Sequence, residues 1–386
     1  MRSVVTADRL WNGGALIEHP VIVIEDGRVA AMGARDGAEM PAGERLDFAG
    51  ATLAPAFFDV HFHGAVNHDV MEGTPEALGA IGAFLASRGT GSFLATTVTA
   101  PMDATLRALE GLAKLMEQPG TPGQARPLGI HFEGPFLSHA KRGVHPPDLL
   151  LAPDIATFDR MFDAAGGHAQ LMTLAPELPG AADLAAHAAK RGVRISMGHS
   201  DATAAETRAV IAAGAVSATH TFNAMRALDH QEPGILGVTL SDDNLFAELI
   251  CDGIHNKPEA VRIWWRSKGA RRGILITDAM SATGMPDGEY QLGGFAVQVV
   301  NGRATARGVL AGSVLTQNRA LENFIRFTGA AVEDGLGLLT SNPAAMTGLN
   351  ARTGALAVGQ SADLVAVDAA GRLVQSIVGG KPAVAS

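Results

Sequence analysis

Apolar and polar positions along this chain fall into two textures. Near the amino end, residues 21–32 (VIVIEDGRVAAM) set two short apolar-rich runs around Asp26-Gly27, a dipeptide suited to a tight hairpin turn. Near the other end, residues 361–380 (SADLVAVDAAGRLVQSIVGG) predict a second hairpin meander. Neither end carries a long helical period. The simplest packing joins the two ends in one small β-sandwich domain, because paired termini hide each other's edge strands.

Between the ends the pattern becomes short apolar run, then helix, repeated. The runs are 57–62, 92–98, 128–133, 170–175, 193–198, 215–220, 247–252 and 273–278. Two of the helices carry start signals. Thr74-Pro75 places proline at the first helical position, and Thr203 with Glu206 forms a capping box. Eight buried strands alternating with helices predict an α/β fold, a (β/α)8 TIM-type barrel. The expected domains are 53–348 for the barrel, with 1–52 and 349–386 as the two parts of the small domain. The spacing is uneven, since 34 residues follow Glu133 before His168, and this gap reads as a long loop suited to substrate contacts. After the eighth run, residues 295–313 alternate around Asn301-Gly302. They predict a hairpin insertion near 285–312, over the barrel mouth. Helices are expected at 316–329 and 332–340, with Asn342-Pro343 starting another.

Composition agrees with this frame and narrows the function. The 386 residues exceed a barrel of roughly 250, leaving room for a second, smaller unit. Apolar residues make up 47% and charged residues 18%, a globular balance. A net charge of −9 without a Lys/Arg block argues against nucleic-acid and membrane-surface partners. An anionic small molecule must then be drawn in by a local site. The segment MRSVVTADRL lacks the apolar core of a signal peptide, and no apolar run is long enough to span a bilayer. Cys251 is the single cysteine, so no intrachain disulfide can form, and a cytoplasmic location is expected. Its apolar surroundings mark Cys251 as core filler.

The candidate chemistry lies where the strands end. The first run closes on His61 and His63, the third on Glu133 and the sixth on His220; the fifth leads into His199, and the eighth closes on Asp278. Each alone is as compatible with an ordinary strand-end hydrogen bond as with a ligand. In a barrel, however, the carboxyl ends of the strands form one face, where active sites of this fold lie. Two histidines at i and i+2 share one side of a strand, so both can point inward. Four imidazoles and a carboxylate suit zinc, iron, manganese or cobalt better than calcium or magnesium. His19, His68, His131, His139, His168, His187 and His230 read as surface or structural.

The motifs DVHFHG (59–64), HFEGPF (131–136), KRGVHPPD (141–148), TLAPE (173–177), GHSDAT (198–203), THTFNAM (219–225), EPGILG (232–237), DGIH (252–255) and TDAMSATG (277–284) run through nearly the whole chain. By these the sequence resembles the N-acetylglucosamine-6-phosphate deacetylase family of the amidohydrolase superfamily. Many relatives in the superfamily carry a carbamylated lysine near the metal; the fourth run here, QLMTLAPE, has none. The resemblance implies that Glu133, His199 and His220 hold a main divalent ion. It implies a second ion on His61 and His63, with Glu133 bridging. One or two ions are thus expected, zinc first and iron, manganese or cobalt as alternatives. Asp278 is expected to act as general base and acid, and His145 to polarise the acetyl carbonyl.

For the substrate, the resemblance implies contacts from Asn223, the Ala224 N–H and His255 to a sugar phosphate, and a homodimer in which the partner chain closes the sugar site. Two departures stand out. Ala56 replaces a usual Pro-Gly at the entry to the first strand. Gln231 occupies the place of an arginine before EPG, and glutamine cannot form a charge-assisted bidentate pair. Nearby Arg226 and His230 are candidates to compensate. The alternative is a non-phosphorylated or differently decorated N-acetyl amino sugar. Two further readings stay open: another metal amidohydrolase, acting on a cyclic amide, an N-acyl amino acid or a nucleobase, and a non-catalytic scaffold relative.

Overall fold

A computed structural model describes residues 2–35, 37 and 40–383. Its centre is a sheet of eight parallel strands: Phe57–Phe62, Thr90–Thr97, Arg126–Glu133, Ala169–Leu174, Arg194–Met197, Ala215–Ala218, Phe246–Ile250 and Gly273–Ile276. They are numbered here as barrel strands one to eight. Each predicted run overlaps one strand, with its ends displaced by no more than two residues. Strands eight and one do not share a ladder. The cylinder closes just above them, where Asp278 N–H donates to the His61 carbonyl at 2.9 Å and His63 N–H donates to the Ala279 carbonyl at 2.8 Å. Closure therefore runs through the residues that carry the candidate chemistry.

Alternation along each strand sorts the side chains. On strand one, Asp59, His61 and His63 share one side, while Val60 and Phe62 join the apolar layers under the helices. On strand three, His131 and Glu133 alternate in the same way with Ile130 and Phe132. The helices start where the sequence signals them. Thr74 caps Pro75–Ser87, and Thr203 and Glu206 form the reciprocal capping box of Ala204–Ala212.

Both chain ends enter one eight-stranded sheet. Arg2–Asn12 runs parallel to Glu44–Pro55, and Leu364–Val367 lies antiparallel on the other side of Glu44–Pro55. Val5, Leu10, Ile22, Leu53 and Leu364 form its core. The predicted hairpin is present as Pro20–Glu25 and Arg28–Ala34. It turns at Asp26 and Gly27, whose φ values of 47° and 79° are those a two-residue inward-twisting turn requires.

Two expectations need correction. The gap 134–167 is not one loop. It contains two short 3-10 turns and an α-helix, Ile155–Ala164, started by the Asp154 carboxylate accepting from Thr157 N–H. The helix buries Phe158 and Met161, a spacing of three that the glycine and proline around it masked. The insertion is also more than a hairpin. Gly288–Leu292, Phe295–Val300, Arg303–Ala306 and Val309–Leu310 form a four-stranded antiparallel meander around the apolar group Tyr290, Leu292, Val297 and Val299. Cys251 is buried as expected, and burial pushes its thiol pKa up, so it is a poor nucleophile. Among the described residues, no helix is long and apolar enough to cross a membrane.

Candidate metal centre

Four imidazoles surround one carboxylate. Glu133 Oε1 lies 3.2 Å from Nε2 of each of His61, His199 and His220, and Glu133 Oε2 lies 3.3 Å from His63 Nε2. His199 Nε2 and His220 Nε2 are 3.1 Å apart, and His61 Nε2 and His63 Nε2 are 3.3 Å apart. Asp278 Oδ1 stands 3.1 Å from His63 Nε2 and 3.5 Å from His61 Nε2. All six side chains are buried. Residues separated by up to 217 positions in the chain thus meet around one point.

What lies behind each imidazole decides what its inner nitrogen can do. His63 Nδ1–H donates to the Thr96 carbonyl at 3.0 Å, His199 to that of Lys141 at 2.9 Å and His220 to that of Asn223 at 3.2 Å. His61 Nδ1 faces a carboxylate instead, Glu248 Oε2, at 3.4 Å. With the Nδ1 proton engaged outward, Nε2 presents a lone pair inward, the arrangement a metal-binding histidine needs. His145 differs. Its Nε2 is 3.6 Å from Glu133 Oε2, close enough to count as a donor atom, and the Glu133, His145 and His199 ligand atoms lie within 4.8 Å of one another. But its Nδ1 accepts from the Thr99 main-chain N–H at 3.4 Å, with Thr99 Oγ1 at 2.9 Å. That leaves the ring proton on Nε2, which suits a hydrogen-bond donor rather than a ligand.

The charge balance supports a cation. Glu133, Asp278 and Glu248 are three buried carboxylates, and among the described residues no Lys or Arg pairs with any of them. Buried negative charge of this density needs compensating positive charge, from protonated imidazoles or from a bound cation that displaces their protons. Burial opposes charge on the Glu133 carboxyl, yet His61 and the bonds from His145, His199 and His220 hold its pKa well below the usual range. Asp278 is likewise held low, because His61 and His63 outweigh its burial. Burial depresses the two histidines in turn, but Glu133 and Asp278 raise His61 well above its ordinary value and His63 to about 9. Burial dominates at His145, which falls to about 4 and stays neutral. It also raises Asp59 to about 7 against the bonds from Thr277 and His61.

These shifts give the centre a pH signature. Ion loading near pH 7 must displace protons from His61 and His63. Calorimetric heats measured in phosphate and in Tris should therefore differ with the buffers' ionisation enthalpies, and affinity should fall as pH drops below about 9. Without an ion, raised folded-state pKa values at His63 and Asp59 give stability that is complete below their ordinary values and lost as pH rises through about 9 and about 7. The metal-free protein should melt at a lower temperature near pH 10 than near pH 6.

Backbone geometry aims the side chains. His199, His220 and Asp278 each lie two residues beyond a strand end, with φ of 46°, 30° and 52°. Left-handed backbone at a non-glycine residue costs about 1–3 kcal/mol, and such strain concentrates at functional sites. Here it turns three strand exits back over the mouth. Neighbouring glycines make room. A Cβ on Gly134 would overlap Thr99 Oγ1, the partner of His145, and one on Gly198 would lie 2.7 Å from Thr219 Cβ. His131, read as structural, is buried beneath the centre and bonds Thr173 Oγ1 at 2.8 Å.

The residues expected at the substrate are more dispersed. Asn223 Nδ2 donates to the His220 and Thr221 carbonyls, both at 3.4 Å. His220, Phe222 and Ala224 alternate along the loop with positive φ, while the N–H groups of His220, Thr221 and Asn223 donate to Glu248 Oε2, the Glu248 carbonyl and the His220 carbonyl. His255 Nδ1 donates to Asp252 Oδ2 at 2.7 Å. Arg226 is held by Asp201, through its Nε to the carbonyl at 2.7 Å and a terminal nitrogen to the carboxylate at 3.3 Å. Gln231 and His230 stand in an exposed loop, and the nearest acid to His230 is its neighbour Asp229, at 3.7 Å. Neither is in contact with the metal cluster.

Residues 52–385 match the amidohydrolase family. The chain belongs to that family. Within it, the chain is 37% identical over 378 residues to an N-acetylgalactosamine-6-phosphate deacetylase of Escherichia coli O157:H7, with 98% of each covered. It is 35% identical to an N-acetylglucosamine-6-phosphate deacetylase of Bacillus subtilis, covering 95% of this chain and 93% of that one. A mutant of N-acetyl-D-glucosamine-6-phosphate deacetylase from Mycobacterium smegmatis, solved in complex with N-acetyl-D-glucosamine-6-phosphate, superposes with a TM-score of 0.91 at 35% identity over 99% of both chains. The Thermotoga maritima deacetylase gives 0.85 at 30% identity, covering 99% of this chain and all of that one. The chain is thus an amidohydrolase of the N-acetylglucosamine-6-phosphate deacetylase group, and the barrel with a terminal sheet domain is the fold of those neighbours.

Sequence reading passed over Glu248. The signal was available: it is the lone charged residue in an otherwise apolar buried strand, Phe246–Ile250.

Proposed function

We propose that the chain hydrolyses the acetamide of N-acetyl-D-glucosamine 6-phosphate to D-glucosamine 6-phosphate and acetate. The observation that carries this is the buried Glu133–histidine cluster, with the Asp278 carboxylate beside it. Glu133, His199 and His220 would hold a main ion, and His61 and His63, with Glu133 shared, a second. Imidazole and carboxylate donors favour zinc. When bound, a divalent ion supplies a nucleophilic water near neutrality and polarises the acetyl carbonyl.

The chain's own residues do the rest. Asp278, kept ionised by His61 and His63, takes the proton of the attacking water and returns it to the leaving nitrogen. Neutral His145 donates its Nε2–H to the acetyl oxygen as charge develops there, a contribution of about 3–4 kcal/mol for such a donor. Asn223, the Ala224 N–H and the His255 ring receive the phosphate, with Arg226 adding positive charge nearby. The reading extends to a cytoplasmic homodimer; the lone buried thiol of Cys251 is in keeping with a reducing compartment.

One observation favours a second substrate. The Escherichia coli relative at 37% identity is named for the galactosamine epimer. Gln231 separately bears on the phosphate. The deciding experiment compares kcat/KM for N-acetylglucosamine 6-phosphate, N-acetylgalactosamine 6-phosphate and unphosphorylated N-acetylglucosamine, in the wild type and in Gln231→Arg. The phosphorylated glucosamine should lead, and Gln231→Arg should raise the preference for phosphate by about tenfold, the gain of one charge-assisted bond. An unchanged preference would place Gln231 away from the phosphate, and no turnover of any sugar would sink the reading.

A further inference from the structure

Glu248 is fully buried in strand seven. A carboxylate so placed is costly unless a partner or a function retains it. Its Oε2 faces His61 Nδ1 at 3.4 Å and accepts from the His220 main-chain N–H, also at 3.4 Å. Its own carbonyl accepts from Thr221 N–H at 2.8 Å. Its Oε1 is buried without a hydrogen-bond partner among the described residues. One side chain therefore reaches both halves of the centre, the His61–His63 pair and the turn that carries His220. The other three inward-facing histidines rest on neutral main-chain carbonyls; His61 alone rests on a carboxylate.

We propose that Glu248 is a positioning residue of the metal centre: its carboxylate holds the Nδ1 proton of His61, turning Nε2 to the ion, and braces the turn that presents His220. The proposal rests on the metal-centre reading above. A carboxylate behind an imidazole fixes the tautomer and ring orientation and makes the inner nitrogen a stronger donor than a carbonyl would. Glu248 is fully buried behind the imidazoles, so its effect passes through His61 and the His220 turn.

The test measures zinc affinity by chelator competition in the wild type, Glu248→Gln, His61→Ala and the double variant, alongside melting of each metal-free protein. Glu248→Gln should bind zinc about 10–100-fold more weakly, the usual cost of losing such a partner. Its metal-free melting temperature should stay within a few degrees of the wild type. In the His61→Ala background the same substitution should add a smaller loss, the part carried by the His220 turn, since the rest acts through that ring. Unchanged affinity in Glu248→Gln, or an equal loss with and without His61, would overturn the proposal. If Glu248→Gln does not fold, Glu248→Asp keeps the charge at shorter reach: weakened zinc binding supports the proposal, and unchanged binding overturns it. Failure of both variants to fold assigns Glu248 to stability and overturns it as well. A wild-type chain that takes up no zinc is a different result, and removes the centre itself.

Discussion

Replacing Asp278 by Asn should lower kcat for acetate release by about 10²–10⁴-fold, the range for loss of a positioned acid–base group. KM should change little, because Asp278 faces His63 at 3.1 Å and His61 at 3.5 Å rather than the loop assigned to the sugar phosphate. Zinc content should remain near that of the wild type, since four imidazoles and Glu133 are untouched. The variant also removes one of the acids that raise His61 and His63. The proton release that accompanies ion loading should therefore shrink. A variant with low kcat and empty sites would make Asp278 a ligand first and a base second.

The second large effect belongs to Glu133. Its two oxygens face four imidazole nitrogens at 3.2–3.3 Å, so it joins both halves of the centre at their inward nitrogens. Glu133→Gln should empty the sites and lower kcat/KM by at least about 10³-fold, the scale of losing a principal electrostatic element in a buried site. Stability should move the other way. The amide removes a buried charge, and its NH₂ can donate to the inward lone pairs, so the metal-free variant should melt no lower than the metal-free wild type. Metal analysis and calorimetry on the same preparation separate the two effects. Full zinc occupancy in Glu133→Gln would contradict the bridging role.

Much of this was legible in the sequence, for identifiable reasons. Buried parallel strands are short apolar runs between turns, which is why all eight appeared. The cluster could be read because histidines and acids at strand exits are chemically conspicuous, and barrel topology brings those exits together. Glu248 was hidden by its position: in a strand covered on both faces, apolar neighbours do not reveal which side chains point inward. The partners of His63, His199 and His220 were invisible because they are main-chain carbonyls of Thr96, Lys141 and Asn223, whose side chains carry no signal. The turns at His199, His220 and Asp278 were equally silent, since nothing in those residue types announces a left-handed backbone. Opposite roles for His145 and its neighbours rest on one main-chain N–H from Thr99, which only the fold supplies.

The central claim is that a cation held by this cluster drives hydrolysis of an acetylated amino sugar phosphate. The most direct measurement strips the purified protein with a chelator, restores zinc in steps and follows acetate release from N-acetylglucosamine 6-phosphate against ions bound per chain. Activity should vanish on stripping and return in proportion to zinc bound, saturating at one or two ions. Full turnover by a stripped chain carrying no measurable metal would contradict the account.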